Sequence, residues 1–351
     1  MTISKAFTKI TVDRINQTNM VRTKPTKCTR ILKSSDLGRL SESFENVLSL
    51  RPFETDVVST PECHSCYEYN ELTTNPEDSF SAIDFRMPWD DPAQVKFLKS
   101  IIPITEEKFL QLFVDRTEEA CQEESCAPQR SETWHRARAF SVTASQFGAS
   151  VGHNRYMSRP ALLRNKLHPH EQKIPQEYVQ WGIQHEPDAE FAFTEYLTSK
   201  LDTLFSIEHP GLLKHPTKPW TACSPDGILR RWDKGEEIVE LIEYKAPAYH
   251  RSKIGGHPYS KDQYNIPTMY LDQMIGSMWL IKNHELVRQG KTLKGGWFVV
   301  WQPHALSVTY VPYVESYANS LMEGVHDFFK NTFVPACIET INSLATEEHK
   351  E

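Results

Sequence analysis

Two acidic segments lie close together in the middle of this chain and limit how it can fold. The first, SPDG at 224–227, has the composition of a tight turn, which fixes the position of Asp226. The second, ELIEYKAP at 240–247, is a mainly apolar run that a proline ends just after Lys245. Alternate residues of a strand share one face, so we expect the side chains of Glu243 and Lys245 to point the same way.

These segments together have the chemistry of a metal site. If Asp226 lies beside the strand, two carboxylates and one ammonium meet in a small volume. Hard oxygen ligands of this kind bind Mg²⁺ or Mn²⁺, and a nearby lysine can orient or deprotonate a bound water. An acid-x-lysine triplet is also common as a solvated charge pair. The apolar character of the strand favours the site, because a buried acid needs a partner.

Three further motifs accompany this pair in sequence order. They are WHRAR followed by VTAS within residues 134–145, WGIQHEPDA at 181–189, and YLDQ at 270–273 with a following Met278-Trp279. Together the motifs resemble the YqaJ-like viral recombinase family, which includes lambda exonuclease and belongs to the restriction-endonuclease-like nucleases. The resemblance implies an α/β fold with a restriction-endonuclease-like core, in which helices flank a central mixed β-sheet, behind an N-terminal extension.

The resemblance also implies roles for the residues of the acidic motifs. Glu186, Asp226 and Glu243, with the carbonyl oxygen of Tyr244, would hold one or two Mg²⁺ ions, for which Mn²⁺ can substitute. Lys245 would orient or activate the water that attacks the scissile phosphorus. These five residues, with the glutamine discussed next, form the predicted catalytic centre.

Two predicted helices carry the remaining residues of this centre. Pro187 fits best in the first turn of a helix, so we expect a helix to begin or kink there, with Glu186 at its inner end. An acid in that position could equally complement the helix dipole. A second helix over 268–282 carries Gln273, which the family places near the active site. Ile275 stands where a second glutamine is often found, so core packing is the alternative interpretation.

A phosphate pocket is predicted at a helix start just after Arg138. Thr143 and Gln146 have the spacing of a capping box with Thr143 as the N-cap. An arginine beside a helix N-terminus can bind two phosphate oxygens. The resemblance implies that Arg138 and Ser145 grip a 5′-terminal phosphate; an ordinary capped helix with a surface arginine is the alternative.

The chain divides by composition into three parts. Residues 1–33 form a basic tail, interpreted as a flexible arm for phosphate, a transit peptide or a disordered terminus. Residues 34–130 form an extension with a linker and a helical subdomain, and residues 131–345 form the nuclease domain. The elements expected in that domain, besides the helices above, are a helix near 143–165, strands near 205–213, 220–231, 237–245, 296–302 and 306–312, and a final helix over 314–344.

Composition limits the environment of the protein. The formal net charge is −7, but the basic tail and a local basic lining can still serve a nucleic-acid binder. No apolar stretch is long enough for a membrane span, so no membrane partner is expected. Seven cysteines without a secretory signal indicate an intracellular protein, nuclear or cytoplasmic, with organellar targeting left open. Cys63 and Cys66 have zinc-ligand spacing or are incidental.

The expected function is that of a Mg²⁺-dependent deoxyribonuclease. The resemblance implies 5′→3′ degradation of linear double-stranded DNA in recombination, repair or viral genome processing. The phosphate pocket is the only end-specific feature, so a structure-specific endonuclease or an RNA-degrading nuclease of the same fold is an alternative. A catalytically inactive nucleic-acid-binding scaffold is a third. A single-strand annealing protein is the implied partner, and the chain could be a monomer or a homo-oligomer such as a ring trimer.

Overall fold

The computed structural model describes residues 55–59, 85–115, 129–171, 176–247, 266–284, 287, 291–303 and 305–345 of the chain. The basic tail and the Cys63/Cys66 pair lie outside the described residues. The strands, in chain order, are β1 (Thr55–Ser59), β2 (Val142–Thr143), β3 (Phe205–Glu208), β4 (Leu213–His215), β5 (Lys218–Cys223), β6 (Gly227–Asp233), β7 (Glu236–Lys245), β8 (Lys291–Gln302) and β9 (Ala305–Pro312).

The helices precede, separate and follow these strands along the chain. They are α1 (Pro92–Ser100), α2 (Glu106–Phe113), α3 (Glu132–Arg138), α4 (Ala144–Ser150), α5 (Arg159–Leu167), α6 (Gln176–Lys200), α7 (Thr268–Asn283), α8 (Glu315–Phe328) and α9 (Val334–Ser343), with a π-helical segment (Phe329–Phe333) between the last two. None of the helices in the described ranges combines the length and apolarity that a bilayer crossing requires.

Two sheets form the frame of the structure. The larger has six strands in the order β1-β9-β8-β7-β6-β3, and the smaller has three in the order β2-β5-β4. In the larger sheet β7 and β8 are parallel, whereas the other neighbouring pairs are antiparallel. The predicted architecture, a central mixed sheet flanked by helices, is therefore confirmed.

The strand β7 has buried residues on both of its faces, which explains its almost continuous apolar sequence. Leu241 belongs to the core that includes Met274 and Ile275 of α7. Its neighbour Ile242 belongs to a second cluster, which includes Phe193 of α6. Because the side chains alternate, Glu243 and Lys245 share the α7 side of the sheet.

A buried polar group fixes the position of α7 against its neighbouring helices. Asp272 is fully buried, and its carboxylate accepts hydrogen bonds from the Tyr317 hydroxyl and, at 2.9 Å, from His153 Nδ1. Burial lowers the pKa of His153, but the Asp272 carboxylate outweighs that effect, so the net shift is upward. This network holds the helix turn that also carries Gln273.

The structure corrects three boundaries predicted from the sequence. The single strand expected over 205–213 is divided between β3 of the larger sheet and β4 of the smaller sheet. The single strand expected over 220–231 is divided between β5 and β6, which belong to different sheets and are separated by residues 224–226. Of the two alternatives at Pro187, a helix start is wrong: the helix begins at Gln176 and continues to Lys200, so the proline lies in its interior, and a kink there stays a prediction. Tertiary packing by residues such as Ala189 and Phe193 offsets the local cost of that proline.

Two smaller differences concern helices. The helix expected near 143–165 is divided into α4 and α5, and the final helix contains the π-helical segment. The predicted capping box at the start of α4 is confirmed, because Thr143 N donates to Gln146 Oε1 at 3.2 Å. The remaining strands of the predicted domain lie near their expected positions.

Candidate active site

Asp226 lies where the chain leaves the small sheet and enters the large one. Gly227, the first residue of β6, pairs with Ile242 of β7, so Asp226 and Glu243 come side by side just beyond this pair. The backbone N–H of Tyr244 donates to Asp226 Oδ2 at 2.8 Å. The turn therefore places the Asp226 carboxylate beside the end of β7, as the sequence predicted.

Glu243 is the most deeply placed acid of this group. Its side chain is only 3% exposed, and its Oε1 atom accepts from Lys245 Nζ and, at 2.5 Å, from Gln273 Nε2. The ammonium of Lys245 also lies 5.1 Å from the centre of the Tyr270 ring, on α7. A carboxylate, a cation and an amide from three separate motifs thus meet on the α7 side of β7.

The electrostatics of this cluster are those of crowded acids. Burial, the nearby Glu243 carboxylate and, to a smaller extent, Glu186 raise the pKa of Asp226 well above its usual range, while Lys245 opposes the rise. Burial lowers the pKa of Lys245, but the carboxylates of Glu243 and Asp226 outweigh it and raise the pKa overall. The lysine is therefore an ammonium, and ionisation of Asp226 beside the other acids is unfavourable unless a further cation is present.

Glu186 approaches the same cluster from α6. Its carboxylate is close enough to raise the pKa of Asp226, but its hydrogen-bond partner is Arg130, whose Nη2 atom lies 3.1 Å from Glu186 Oε2. The 129–130 segment also touches the turn at 224–226, because Gln129 Nε2 lies 3.5 Å from the carbonyl oxygen of Pro225. Sequence reasoning had not predicted this segment.

The donor set of the cluster fits a hard divalent cation. Its available ligands are carboxylate and carbonyl oxygens, the type that Mg²⁺ and Mn²⁺ prefer, and a bound cation would favour the ionised form of Asp226, whose pKa the neighbouring acids raise. Within the described part of the chain, no three acidic, histidine or cysteine side chains already stand in a metal-binding arrangement. Glu186, held by Arg130, would have to turn toward Asp226 to complete such a group.

A second polar cluster surrounds Arg138 at the end of α3. The Arg138 guanidinium lies 3.6 Å from the centre of the Trp134 ring and donates to Thr143 Oγ1 at 3.2 Å. Thr143 Oγ1 is in turn 3.4 Å from Ser145 Oγ, so the two residues predicted for the 5′-phosphate are brought together through Thr143. Burial lowers the pKa of Arg138 to about 10, and no carboxylate partner is found for it among the described residues.

Trp134 connects this cluster to the acids. Its indole Nε1–H donates at 3.0 Å to Ser224 Oγ, in the turn that carries Asp226. The spacing of Trp134 and Arg138, one helical turn apart on α3, was the signal in the sequence for their contact. The indole of Trp134 therefore contacts both the Arg138 guanidinium and the turn at 224–226.

These motifs agree with a comparison of the sequence with protein families. Residues 133–283 match the family model of the YqaJ-like viral recombinase domain. These residues, somewhat less than half of the chain, are therefore similar to a YqaJ-like viral recombinase domain. The resemblance recognised from the sequence is thus confirmed, and the matched residues include every predicted site residue.

A comparison with solved structures also gave matches. An alkaline exonuclease from Laribacter hongkongensis is 22% identical, with a TM-score of 0.42 over 62% of this chain and all of that one (100%). The Shutoff and Exonuclease Protein from Kaposi's sarcoma-associated herpesvirus is 10% identical, with a TM-score of 0.38 over 74% of this chain and 86% of that one. A SOX–DNA complex is 9% identical, with a TM-score of 0.38 over 68% and 74%. No curated protein matches the chain.

Lys166 supports the cluster around Arg138 from the neighbouring helix α5. It is buried, and its Nζ atom donates to the carbonyl oxygens of Ser141 at 2.7 Å and Ala139 at 3.2 Å. Burial and, to a smaller extent, the neighbouring Arg138 guanidinium lower the pKa of this lysine to about 7. The lysine thus fixes the short link between α3 and β2 on which Arg138 depends.

His209 is a further residue that sequence reasoning missed. Its Nδ1–H donates at 2.8 Å to the carbonyl oxygen of Asp226, and its Nε2 atom lies 3.1 Å from Glu190 Oε1 on α6. This imidazole therefore links the turn at 224–226 to α6, the helix that carries Glu186. The only hint in the sequence was a polar residue directly after the short strand β3.

Proposed function

We propose that this protein is a Mg²⁺-dependent deoxyribonuclease that degrades linear double-stranded DNA from its 5′ ends. The observation that carries the proposal is the meeting of Asp226, Glu243 and Lys245 at one end of the central sheet. The acids can bind a divalent cation, and that cation and the lysine together would stabilise negative charge on a phosphodiester. The match to the YqaJ-like family model supports the same class of reaction.

Three carboxylates would hold the cation. Asp226 and Glu243 are already adjacent, and Glu186 is the third candidate, with the Tyr244 carbonyl as an additional ligand. A bound Mg²⁺ would supply a Lewis acid and would offset the charge that develops on the phosphate. The role of Gln273 is to hold Glu243 Oε1 in place, so that the second oxygen of that carboxylate stays directed to the site.

Lys245 is proposed to orient the attacking water. Its ammonium is fixed between the Glu243 carboxylate and the Tyr270 ring, which leaves little freedom for the side chain. An ammonium in that place can hold the water in line with the phosphorus and stabilise negative charge on the phosphate oxygens. As the water oxygen bonds to phosphorus, the bond from phosphorus to the leaving 3′-oxygen would break; the proton lost by the water would go to solvent, and the leaving oxygen would take a proton from solvent.

End selection is proposed to depend on Arg138. The guanidinium has no carboxylate partner among the described residues, yet it is largely buried and stacked on Trp134. A terminal phosphate would supply the missing anion and could accept two parallel hydrogen bonds. Ser145, which is exposed at the start of α4, would add a hydroxyl donor. Internal phosphodiesters carry one negative charge fewer and would fit less well.

The proposal is tested by cleavage assays on matched substrates. Linear duplexes with a 5′-phosphate or a 5′-hydroxyl, a closed circular duplex and a single-stranded RNA are incubated with the protein and Mg²⁺, and then with EDTA. We expect Mg²⁺-dependent release of nucleotides from the phosphorylated linear duplex. Lys245→Ala should lower the rate roughly 100-fold or more, as for loss of a group that stabilises transition-state charge.

The control variant is Lys282→Ala. Lys282 is also on the α7 side of the fold, but it is exposed and paired with Glu315 away from the acids. It should leave the rate unchanged. Cutting of the circular duplex would replace the exonuclease proposal by an endonuclease, and cleavage of RNA alone would replace the substrate. Nucleic-acid binding without cleavage under any of these conditions would leave the scaffold role.

A further inference from the structure

The segment Gln129–Arg130 contacts the proposed active site at two points. On one side Gln129 Nε2 meets the carbonyl oxygen of Pro225, next to Asp226. On the other side Arg130 Nη2 forms an ion pair with Glu186 Oε2 at 3.1 Å. Two consecutive residues therefore contact both the turn that bears one candidate ligand and the helix that bears another.

The backbone of Arg130 has an unusual conformation for its residue type. Its φ angle is +69°, in the left-handed region that favours glycine. A side chain in that region carries a conformational cost, and residues of this kind are concentrated at functional sites. Here the conformation directs the guanidinium to the Glu186 carboxylate.

The ion pair itself is a weak structural contact. The Arg130 side chain is 48% exposed and that of Glu186 is 34% exposed, and ion pairs between such partners contribute little to stability. The ion pair alone therefore does not offset the cost of the backbone. A role with substrate present would explain it, since the guanidinium already lies on a carboxylate that is close to Asp226.

We propose that Arg130 is a substrate-binding residue that exchanges partners. Without a cation it holds Glu186; when Glu186 turns to a bound cation, the guanidinium is released to a DNA phosphate beside the scissile bond. This inference rests on the proposed function. It differs from the Arg138 pocket, because Arg138 is enclosed by Trp134 and Thr143, whereas Arg130 lies in the open.

The chemistry of the arginine suits this exchange. Guanidinium binds carboxylate and phosphate oxygens with the same planar fork of N–H donors, so neither partner requires a new conformation of the head group. The phosphate contact would be available only after Glu186 has another partner. Binding of DNA through Arg130 and occupation of the carboxylates by the cation should therefore reinforce each other.

The test measures DNA binding with and without Mg²⁺. A 5′-phosphorylated duplex with a fluorescent label is titrated with protein in a Lys245→Ala background, which prevents cleavage, and anisotropy is recorded over a range of salt. Arg130→Gln is compared with Arg136→Gln. Arg136 is a matched control, since it is an exposed arginine of the adjacent helix in a simple ion pair with Glu132.

With Mg²⁺ present, Arg130→Gln should weaken binding roughly 10-fold and reduce the slope of log K against log salt by about one, as for loss of one phosphate contact. In EDTA, where Arg130 stays with Glu186, the same substitution should have a much smaller effect. Calorimetry should show Mg²⁺ binding that is as tight as in the parent protein or tighter, because Glu186 no longer has a competing partner.

Equal losses in Mg²⁺ and in EDTA would overturn the exchange, as would wild-type binding in both. If Arg130→Gln lowers the melting temperature so far that its unfolded fraction accounts for the lost binding, Arg130 has a structural role only. Cleavage by the unsubstituted protein is measured in parallel. If it cleaves DNA and Arg130→Gln binds like the control, this inference fails while the proposed function stands; no cleavage at all would count against the proposed function instead.

Discussion

Gln273 Nε2 lies 2.5 Å from Glu243 Oε1, so an amide on α7 holds a carboxylate at the end of β7. The helix turn that carries the amide is itself fixed by the buried Asp272, through Tyr317 and His153. The position of Glu243, a candidate metal ligand, therefore depends on the polar network of Asp272, the residue next to Gln273 on the same helix.

The first prediction concerns this contact. Gln273→Ala should lower the apparent Mg²⁺ affinity or the cleavage rate by roughly 10- to 100-fold, as for groups that hold a metal-binding carboxylate in place. Gln273→Glu should be worse, because it places a second carboxylate against Glu243. Rates measured across a Mg²⁺ titration would check both. Wild-type metal dependence in Gln273→Ala would show that the amide only packs.

The second prediction concerns metal binding and stability. A cation that binds only the folded protein stabilises it by about 2.7 kcal/mol when its concentration is 100 times Kd. Mg²⁺ or Mn²⁺ should therefore raise the melting temperature, and EDTA should reverse the rise. Asp226→Asn and Glu243→Gln should abolish the response while remaining folded. A rise that persists in both variants would place the cation elsewhere.

The third prediction concerns Arg138 and its stacking on Trp134. Arg138→Lys retains a positive charge but loses the planar fork and the ring contact. It should raise KM for 5′-phosphorylated ends by roughly 10- to 100-fold, the effect of losing a charge-assisted hydrogen bond of about 2 kcal/mol. KM for 5′-hydroxyl ends should change little. Equal effects on the two kinds of end would contradict a terminal-phosphate pocket.

The fourth prediction concerns Lys166 and pH. Burial lowers its pKa from 10.5 to about 7 in the folded protein, so between these values the unfolded chain binds more protons than the folded one. Stability from this group therefore rises with pH across that window, by at most about 1.4 kcal/mol per pH unit. Urea unfolding at pH 6 to 9 should show a steeper rise for wild type than for Lys166→Met. Parallel curves would refute it.

The fifth prediction concerns the packing of α7 on α4. A Cβ atom added at Gly276 would overlap a ring carbon of the fully buried Phe147, so Gly276→Ala should cost about 1–3 kcal/mol. Gly182, in the interior of α6, has open space where the methyl group of an alanine would lie, and Gly182→Ala should stabilise the protein by roughly 0.5–1 kcal/mol. Thermal unfolding of the pair would check the contrast.

The parts of the site that depend on local sequence could be predicted. Asp226 is fixed by its Pro-Asp-Gly turn, and Glu243 and Lys245 are placed on one face by the alternation of a strand. The capping box of α4 was likewise predictable from the spacing of two residues. These features require only the nearest neighbours in the chain, so a pattern of a few residues contains the necessary information.

The parts of the site that depend on contacts between distant segments could not be predicted from the sequence. Gln129 and Arg130 reach Pro225 and Glu186 across the fold, and no periodicity in the sequence indicates such contacts. The division of 220–231 into two strands was missed because apolar residues continue on both sides of the turn. The start of α6 was misplaced because the local preference of Pro187 for a first turn was overruled by packing.

The turn at residues 224–226 has a mechanical consequence. The strand before it belongs to the small sheet and the strand after it to the large one. Pairing of Gly227 with Ile242 and the Tyr244 N–H bond keep Asp226 beside Glu243 within the large sheet, whereas Thr143, on which Arg138 rests, pairs with Ala222 in the small sheet. Loosening of the small sheet should therefore release Arg138 before it parts the acids, and mild warming should abolish a preference for 5′-phosphate ends before it abolishes cleavage.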